Sequence, residues 1–252
     1  MAIFPGSAIP SAVSDYEIDN SVRFDNGSSS TMNRTPGSAG NQKTWTMSFW
    51  VKRSLGTGTR IFDIYTASTT RFYVGWNSDG AINCYSDNSG STVLDKTTLA
   101  FYRDPSAWYH VVLKWDTTQS VEANRFIIYV NGEVAALEAS GNYPSLNFDG
   151  LVNNTVAHFI GAYNNGASNF LNAYLAEFYL VDGTALDADS FGETSSTTNQ
   201  WIPKDAVDDL TFGTNGFYQK YGATELADSF EDSADHSIHT ITANGGANTN
   251  TA

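Results

Sequence analysis

Two clusters in this sequence join a large aromatic ring to nearby amides and carboxylates: Trp76 with Asn77 and Asp79, and Tyr163 with Asn164, Asn165 and Asn169. That combination suits a sugar, whose C–H faces rest on a ring while amides and carboxylates take its hydroxyls. Packing of Trp76 in a core and ordinary turn chemistry in both loops compete with this reading. Asn77-Ser-Asp79, Asp87-Asn88 and Asn164-Asn165 also supply hard oxygen donors for a divalent cation, with Asp79 and Asp87 as the carboxylates. They lack a diagnostic ligand spacing, and turns need the same residue types.

Other reactive groups offer less. No Gly-x-Ser-x-Gly elbow, His-Glu-x-x-His helix or phosphate-cradling glycine loop occurs. His110 and His158 fall in strand-like runs and read as packing or rim residues, while His236-Ser-Ile-His239 is spaced to clasp a metal or is incidental sequence. The single Cys84 excludes an intrachain disulfide and, within an apolar run, reads as a small buried hydrophobe.

The composition limits the partners. Thirteen Lys and Arg against 27 Asp and Glu leave a net charge of -14, which repels phosphate backbones and anionic lipid surfaces and argues against nucleic-acid and membrane binding. Eleven acids against Lys204 and Lys220 concentrate in residues 183–235. No run approaches 18 apolar residues, and residues 1–10 lack the basic start and apolar stretch of a secretory signal, so the sequons at Asn26, Asn33 and Asn153 carry no weight.

The elements that must hold these groups are strands. Aromatics form 13% of the chain and charged groups 16%, which favours β faces over helix surfaces. In Thr44–Arg53 the side chains of Trp45, Met47, Phe49 and Val51 share one face, opposite Thr44, Thr46, Ser48 and Lys52. Tyr109, Val111, Leu113 and Trp115 likewise lie opposite His110, Val112, Lys114 and Asp116, and a period of two means half-buried strands. Further strands are predicted at residues 60–65, 71–76, 81–85, 126–130, 134–138, 158–162 and 173–181, with a helical turn or two near 187–191. Asn131-Gly132 predicts a type I′ hairpin turn.

Residues 1–20 read as an extended arm whose Ile3, Phe4, Ile9 and Val13 would anchor it on a neighbouring subunit. Residues 21–193 read as one sandwich. Residues 194–252 read as an acidic C-terminal extension packed on it by Trp201, Phe212, Phe217 and Tyr218. The fold class predicted is all-β, a jelly-roll β-sandwich with an N-terminal arm and a C-terminal extension.

Three segments in order, Trp45-Thr-Met-Ser-Phe-Trp-Val51, Ala107-Trp-Tyr-His-Val-Val-Leu-Lys-Trp-Asp116 and Ile128-Tyr-Val-Asn-Gly-Glu133, resemble the laminin-G-like, concanavalin-A-like lectin/glucanase family. Leu175-Ala-Glu-Phe-Tyr-Leu-Val181 is similar to that family's closing strand, with Glu177 at its frequent acidic position. Arg34-Thr-Pro-Gly-Ser, Phe191-Gly-Glu and Phe212-Gly-Thr-Asn-Gly-Phe-Tyr218 resemble modules in structural proteins of tailed phages, notably marine ones.

The resemblance implies binding or building without catalysis: a virion protein, decorating a capsid or part of a tail appendage, assembled in the bacterial cytoplasm. Its partners would be other copies of itself, other virion proteins and host-surface polysaccharide, with calcium as the one cofactor the family implies. A dedicated receptor-binding lectin of a tail fibre is the alternative. A glycoside hydrolase is a further one, although the family's Glu-x-Asp-x-x-Glu, which sets carboxylates on one strand face, is not copied: Glu17-Ile-Asp19 begins it and Val22 stands at the second Glu.

Overall fold

The computed structural model describes residues 16–54, 59–222, 232–234, 239–244 and 248–251. Ile3, Phe4, Ile9, Val13 and His236 lie outside the described residues. In chain order the strands are β1 (Asn20–Phe24), β2 (Thr31–Arg34), β3 (Thr44–Arg53), β4 (Arg60–Ala67), β5 (Thr70–Trp76) and β6 (Ile82–Asn88). They continue with β7 (Ser91–Thr97), β8 (Tyr109–Asp116), β9 (Phe126–Val130), β10 (Glu133–Val134), β11 (His158–Ile160) and β12 (Ala173–Asp182). The last are β13 (Gly192–Thr194), β14 (Trp201–Pro203), β15 (Phe217–Gln219), β16 (Thr242–Asn244) and β17 (Asn248–Thr251).

Two antiparallel sheets form the predicted sandwich. One runs β10-β9-β8-β3-β12-β1-β17 with β15 also paired to β12, and is called here the first sheet; the second runs β16-β2-β11-β4-β5-β6-β7. Alternation explains the core between them. Trp45, Met47, Phe49 and Val51 of β3 meet Phe62, Ile64, Phe72 and Val74 of the second sheet, and Trp45 stacks on Trp115 at 5.5 Å while meeting Phe72 edge-on at 5.7 Å.

The extension is more deeply built in than the sequence indicates. β15 joins the first sheet, β16 pairs with β2, and β17 pairs with β1. A second apolar cluster forms on the outer face of the first sheet, where Val112, Tyr129, Tyr179 and Val181 are covered by Phe191, Ala206, Phe212 and Tyr218.

The switch of partners along β12 occurs at Glu177. This residue has φ +51, and the register with β3 slips between Ala176 and Tyr179, a bulge. Before it β12 pairs with β1, after it with β15. The Glu177 carboxylate is buried and accepts the hydroxyls of Tyr16, Tyr179 and Tyr218 at 2.7–2.9 Å.

Two expectations about strands change. Residues 134–138 do not form a continuous strand: β10 ends at Val134, and Leu137 makes an isolated bridge to Thr98. The mostly polar β7 was not predicted, because it is the edge of its sheet and turns only some of its residues inward. The Asn131-Gly132 turn is present, with φ of +51 and +84 between β9 and β10.

Candidate functional site

Trp76 is a core residue and not a sugar platform. Phe72, Val74 and Trp76 share the inward face of β5, leaving Trp76 1% exposed under the guanidinium of Arg53. Asn77 and Asp79 shape the turn into β6: Asn77 N–H donates to Ala81 O at 2.9 Å, and Asp79 Oδ1 accepts the Ala81 N–H at 3.0 Å. Asp79 and Asp87 do not meet around one cation, since they lie at opposite ends of β6, whose length from Ile82 to Asp87 is roughly 17 Å at ordinary strand rise. Asp87 is instead paired with Arg71 at 3.1 Å and accepts Tyr85 OH.

Around Tyr163 the asparagines shape the loop. Asn164 and Asn165 turn the chain with φ of +55 and +56, Asn169 has φ +48, and Tyr163 OH accepts Arg71 Nη1 at 2.6 Å. Cys84 is fully buried, which pushes its thiol up and out of reach of chemistry.

A cleft that sequence reasoning passed over lies on the outer face of the first sheet. Thr46, Ser48 and Trp50 point outward from β3, and His110 points outward from β8 opposite Trp50. Trp50 stacks on His110 at 4.8 Å, and Trp201, brought in by β14, lies nearly parallel beyond it at 5.9 Å. Trp201 Nε1–H donates to His110 Nδ1 at 2.9 Å, so the ring proton sits on Nε2, which donates to Ser48 Oγ at 2.8 Å. His110 therefore cannot take the Ser48 proton, and this Ser–His pair is no activated nucleophile. Complete burial pushes the His110 pKa down to about 3, keeping it neutral.

Against this wall opens a cleft of about 630 Å³, lined by Trp50, Trp108, Asn131, Glu133, Asp189 and Gln200 among others. An apolar recess of about 210 Å³ adjoins it, and Trp50 and Trp108 line both. Trp108 is half-buried, belongs to neither apolar cluster, and among the described residues has no stacking partner and no acceptor for its indole N–H. The rim is held in place: Asn131 Oδ1 accepts His110 N–H at 2.8 Å, and in residues 195–200 Ser195 N–H donates to Gln200 O and Asn199 N–H to Ser195 O, each at 2.8 Å.

The signal for this cleft was present in the sequence. Trp50 occupies an outward position of β3, and Trp108, immediately before β8, continues the outward parity of His110, Lys114 and Asp116; among such largely polar outward residues a large aromatic calls for a cover or a ligand.

The comparisons with known proteins bear on the fold. A profile of the laminin-G-like family described as the concanavalin A-like lectin/glucanases superfamily matches residues 25–190. No curated protein sequence gives a significant match. The heptameric SAP-like pentraxin of Limulus polyphemus is similar with a TM-score of 0.50 and 16% identity, over 75% of this chain and 93% of that one. Domains LG4-5 of the mouse laminin alpha1 chain give 0.48 and 11%, over 69% and 44%. The CBM40 of the Ruminococcus gnavus IT-sialidase, bound to alpha2,6 sialyllactose, gives 0.41 and 14%, over 65% and 96%. With more than half of its length matched by the family profile, and with the sandwich described above, the chain belongs to the concanavalin A-like lectin/glucanases superfamily.

Proposed function

We propose that this protein is a non-catalytic, glycan-binding virion module that holds a neutral or amino sugar in the Trp108 cleft. The observation that carries the reading is Trp108 itself, an unstacked ring beside Glu133, Asp189 and Gln200, in a cleft of ligand size. A sugar ring would lie on the indole, with hydroxyls on the carboxylates and amides, and the cleft's two acids disfavour anionic sugars. Glu133 and Asp189 both stand exposed to water, not in the desolvated surroundings in which a catalytic acid works.

The virion setting is supported by the flanking segments that resemble phage modules, which meet around β12. Arg34 Nη1 donates to Asn215 O at 3.0 Å, and Phe191 and Phe212 pack on Tyr179. Detection of the chain in purified particles tests that setting, and its absence from them would reject it.

A glycan array followed by calorimetry tests the cleft. Trp108→Ala should weaken binding of the best neutral glycan at least about tenfold, the size of one lost aromatic contact, with the unfolding temperature little changed. Unaltered affinity would refute the assignment. The bound polysaccharide should release no reducing ends, and turnover abolished by Glu133→Gln or Asp189→Asn would overturn the non-catalytic reading.

A further inference from the structure

The outer face of the second sheet carries a lattice of tyrosines and arginines. Tyr73 of β5 and Tyr85 of β6 are direct neighbours with rings stacked at 5.3 Å, and Tyr163 meets both Tyr65 and Tyr73 edge-on at 5.6 and 6.1 Å. Arg71 lies over Tyr85 at 5.2 Å and is satisfied by Asp87 and Tyr163. Arg60 lies over Tyr73 at 3.8 Å and near Tyr163 at 5.7 Å. Its path across the sheet is open because Gly75 stands opposite: a Cβ there would sit 3.2 Å from the Arg60 side chain and 2.3 Å from Thr59 O.

Arg60 differs from Arg71 in one respect. Among the described residues no carboxylate lies within ion-pair distance of its guanidinium, no acceptor takes a hydrogen bond from it, and its Nε is buried without a partner. A half-buried cation is costly to leave unpaired, and in a chain of net charge -14 it is conspicuous. The other charges on this face do not fill the role. Asp87 belongs to Arg71; Asp63, opposite Tyr73 and fully buried, feels Arg60 electrostatically but is not within ion-pair distance of it; and Asp95 stands on β7, three strands and roughly 14 Å from β4. Among the described residues, the acids of the extension, Asp205, Asp208, Asp209 and Asp232, neighbour residues that pack on the opposite sheet.

We propose that Arg60 and the surrounding face form a second binding site, which takes the carboxylate of a uronic acid in an acidic polysaccharide. The planar guanidinium fork matches a carboxylate's two oxygens, and stacking on Tyr73 holds it in place for that bidentate contact. Tyr65 and Tyr163 offer ring edges to the sugar, and the exposed Asn165 in the Tyr163 loop offers an amide to its hydroxyls; that loop is tied to β4 where Asn169 O accepts the Arg60 backbone N–H at 3.1 Å. The site stands independently of the Trp108 cleft, which lies on the other sheet.

The test is calorimetric titration of the full chain with oligogalacturonate, with the same oligomer fully methyl-esterified, and with dextran sulfate. Oligogalacturonate should bind, the ester at least tenfold more weakly, and affinity should fall as salt rises. Arg60→Gln should abolish binding, Arg60→Lys should restore it only in part because the fork is lost, and Trp108→Ala should leave it unchanged. Failure of the native chain to bind oligogalacturonate, equal affinity for the ester, tighter binding of dextran sulfate, or loss in Trp108→Ala alone would each overturn the proposal. Should Arg60→Gln not fold, the acid-to-ester comparison on the native chain still decides.

Discussion

Gly132→Val is expected to lower stability by about 3 kcal/mol, from about 1–2 for a β-branched residue in the left-handed region and a similar amount for overpacking. Gly132 has φ +84, and a Cβ placed on it would lie 2.3 Å from the Trp201 ring. The two causes separate in a double-mutant cycle. In a Trp201→Ala background the steric part vanishes and only the backbone part remains, so the effects should fall short of additivity by about 1 kcal/mol or more. Displaced Trp201 also surrenders its bond to His110, so Gly132→Val should alter tryptophan fluorescence below the melting transition. Strict additivity in urea unfolding would show that Trp201 does not press on the turn.

Asp63→Asn is expected to stabilise the protein at pH 8 by about 2 kcal/mol and to have almost no effect at pH 4. Asp63 is fully buried, and that burial pushes its pKa up to about 7, against the pull of the Asn164 and Asn165 backbone amides and of Arg60 and Arg71. A carboxyl whose pKa is raised on folding favours the folded state below its unfolded value near 4, and this benefit is lost as pH rises through about 7. The whole interval is worth on the order of 4 kcal/mol at about 1.4 per unit, and an asparagine, still a buried polar group without a hydrogen-bond partner, should recover about half.

The two buried histidines run the other way. Burial lowers His110 to about 3 and His158 to about 4, so their contribution is complete above about 6.5 and is lost as pH falls toward those values. In the native chain Asp63 offsets part of that loss. Asp63→Asn should therefore steepen the decline toward acid. Equal shifts of the unfolding midpoint at pH 4 and pH 8 would show that the carboxyl does not titrate in this range.

How much of this was legible follows from where each residue's partners come from. The core alternation of β3 and β8 is local, so the sandwich could be read from Trp45 to Val51 and Tyr109 to Trp115 alone. For Trp76, of the two readings, core and sugar platform, the core one follows from the same rule: counting from Phe72 and Val74 places it inward. Trp50 and Trp108 were visible as outward aromatics, but their wall is completed by Trp201, more than ninety residues on, and no local pattern encodes that approach. Tyr163 was chosen for its neighbouring asparagines, yet its setting comes from β4, β5 and β6, whose place beside β11 is a matter of strand register across distant sequence. Of the extension's three additions to the two sheets, β16 and β17 were invisible because they are short and polar, and they are ordered by the edges they join.

Those additions bear on synthesis at the ribosome. β16 lies along β2 and β17 along β1, so strands made among the first thirty-five residues keep an open flank until residues 242–251 have left the exit tunnel. Pairings so distant in sequence form slowly, and an unpaired strand edge is a template for intermolecular pairing while it waits. A nascent chain stalled before residue 240 would display two such edges at once. A cleavage or deletion that removes residues 241–252 should accordingly show itself first as aggregation during expression, before any loss of ligand binding is seen.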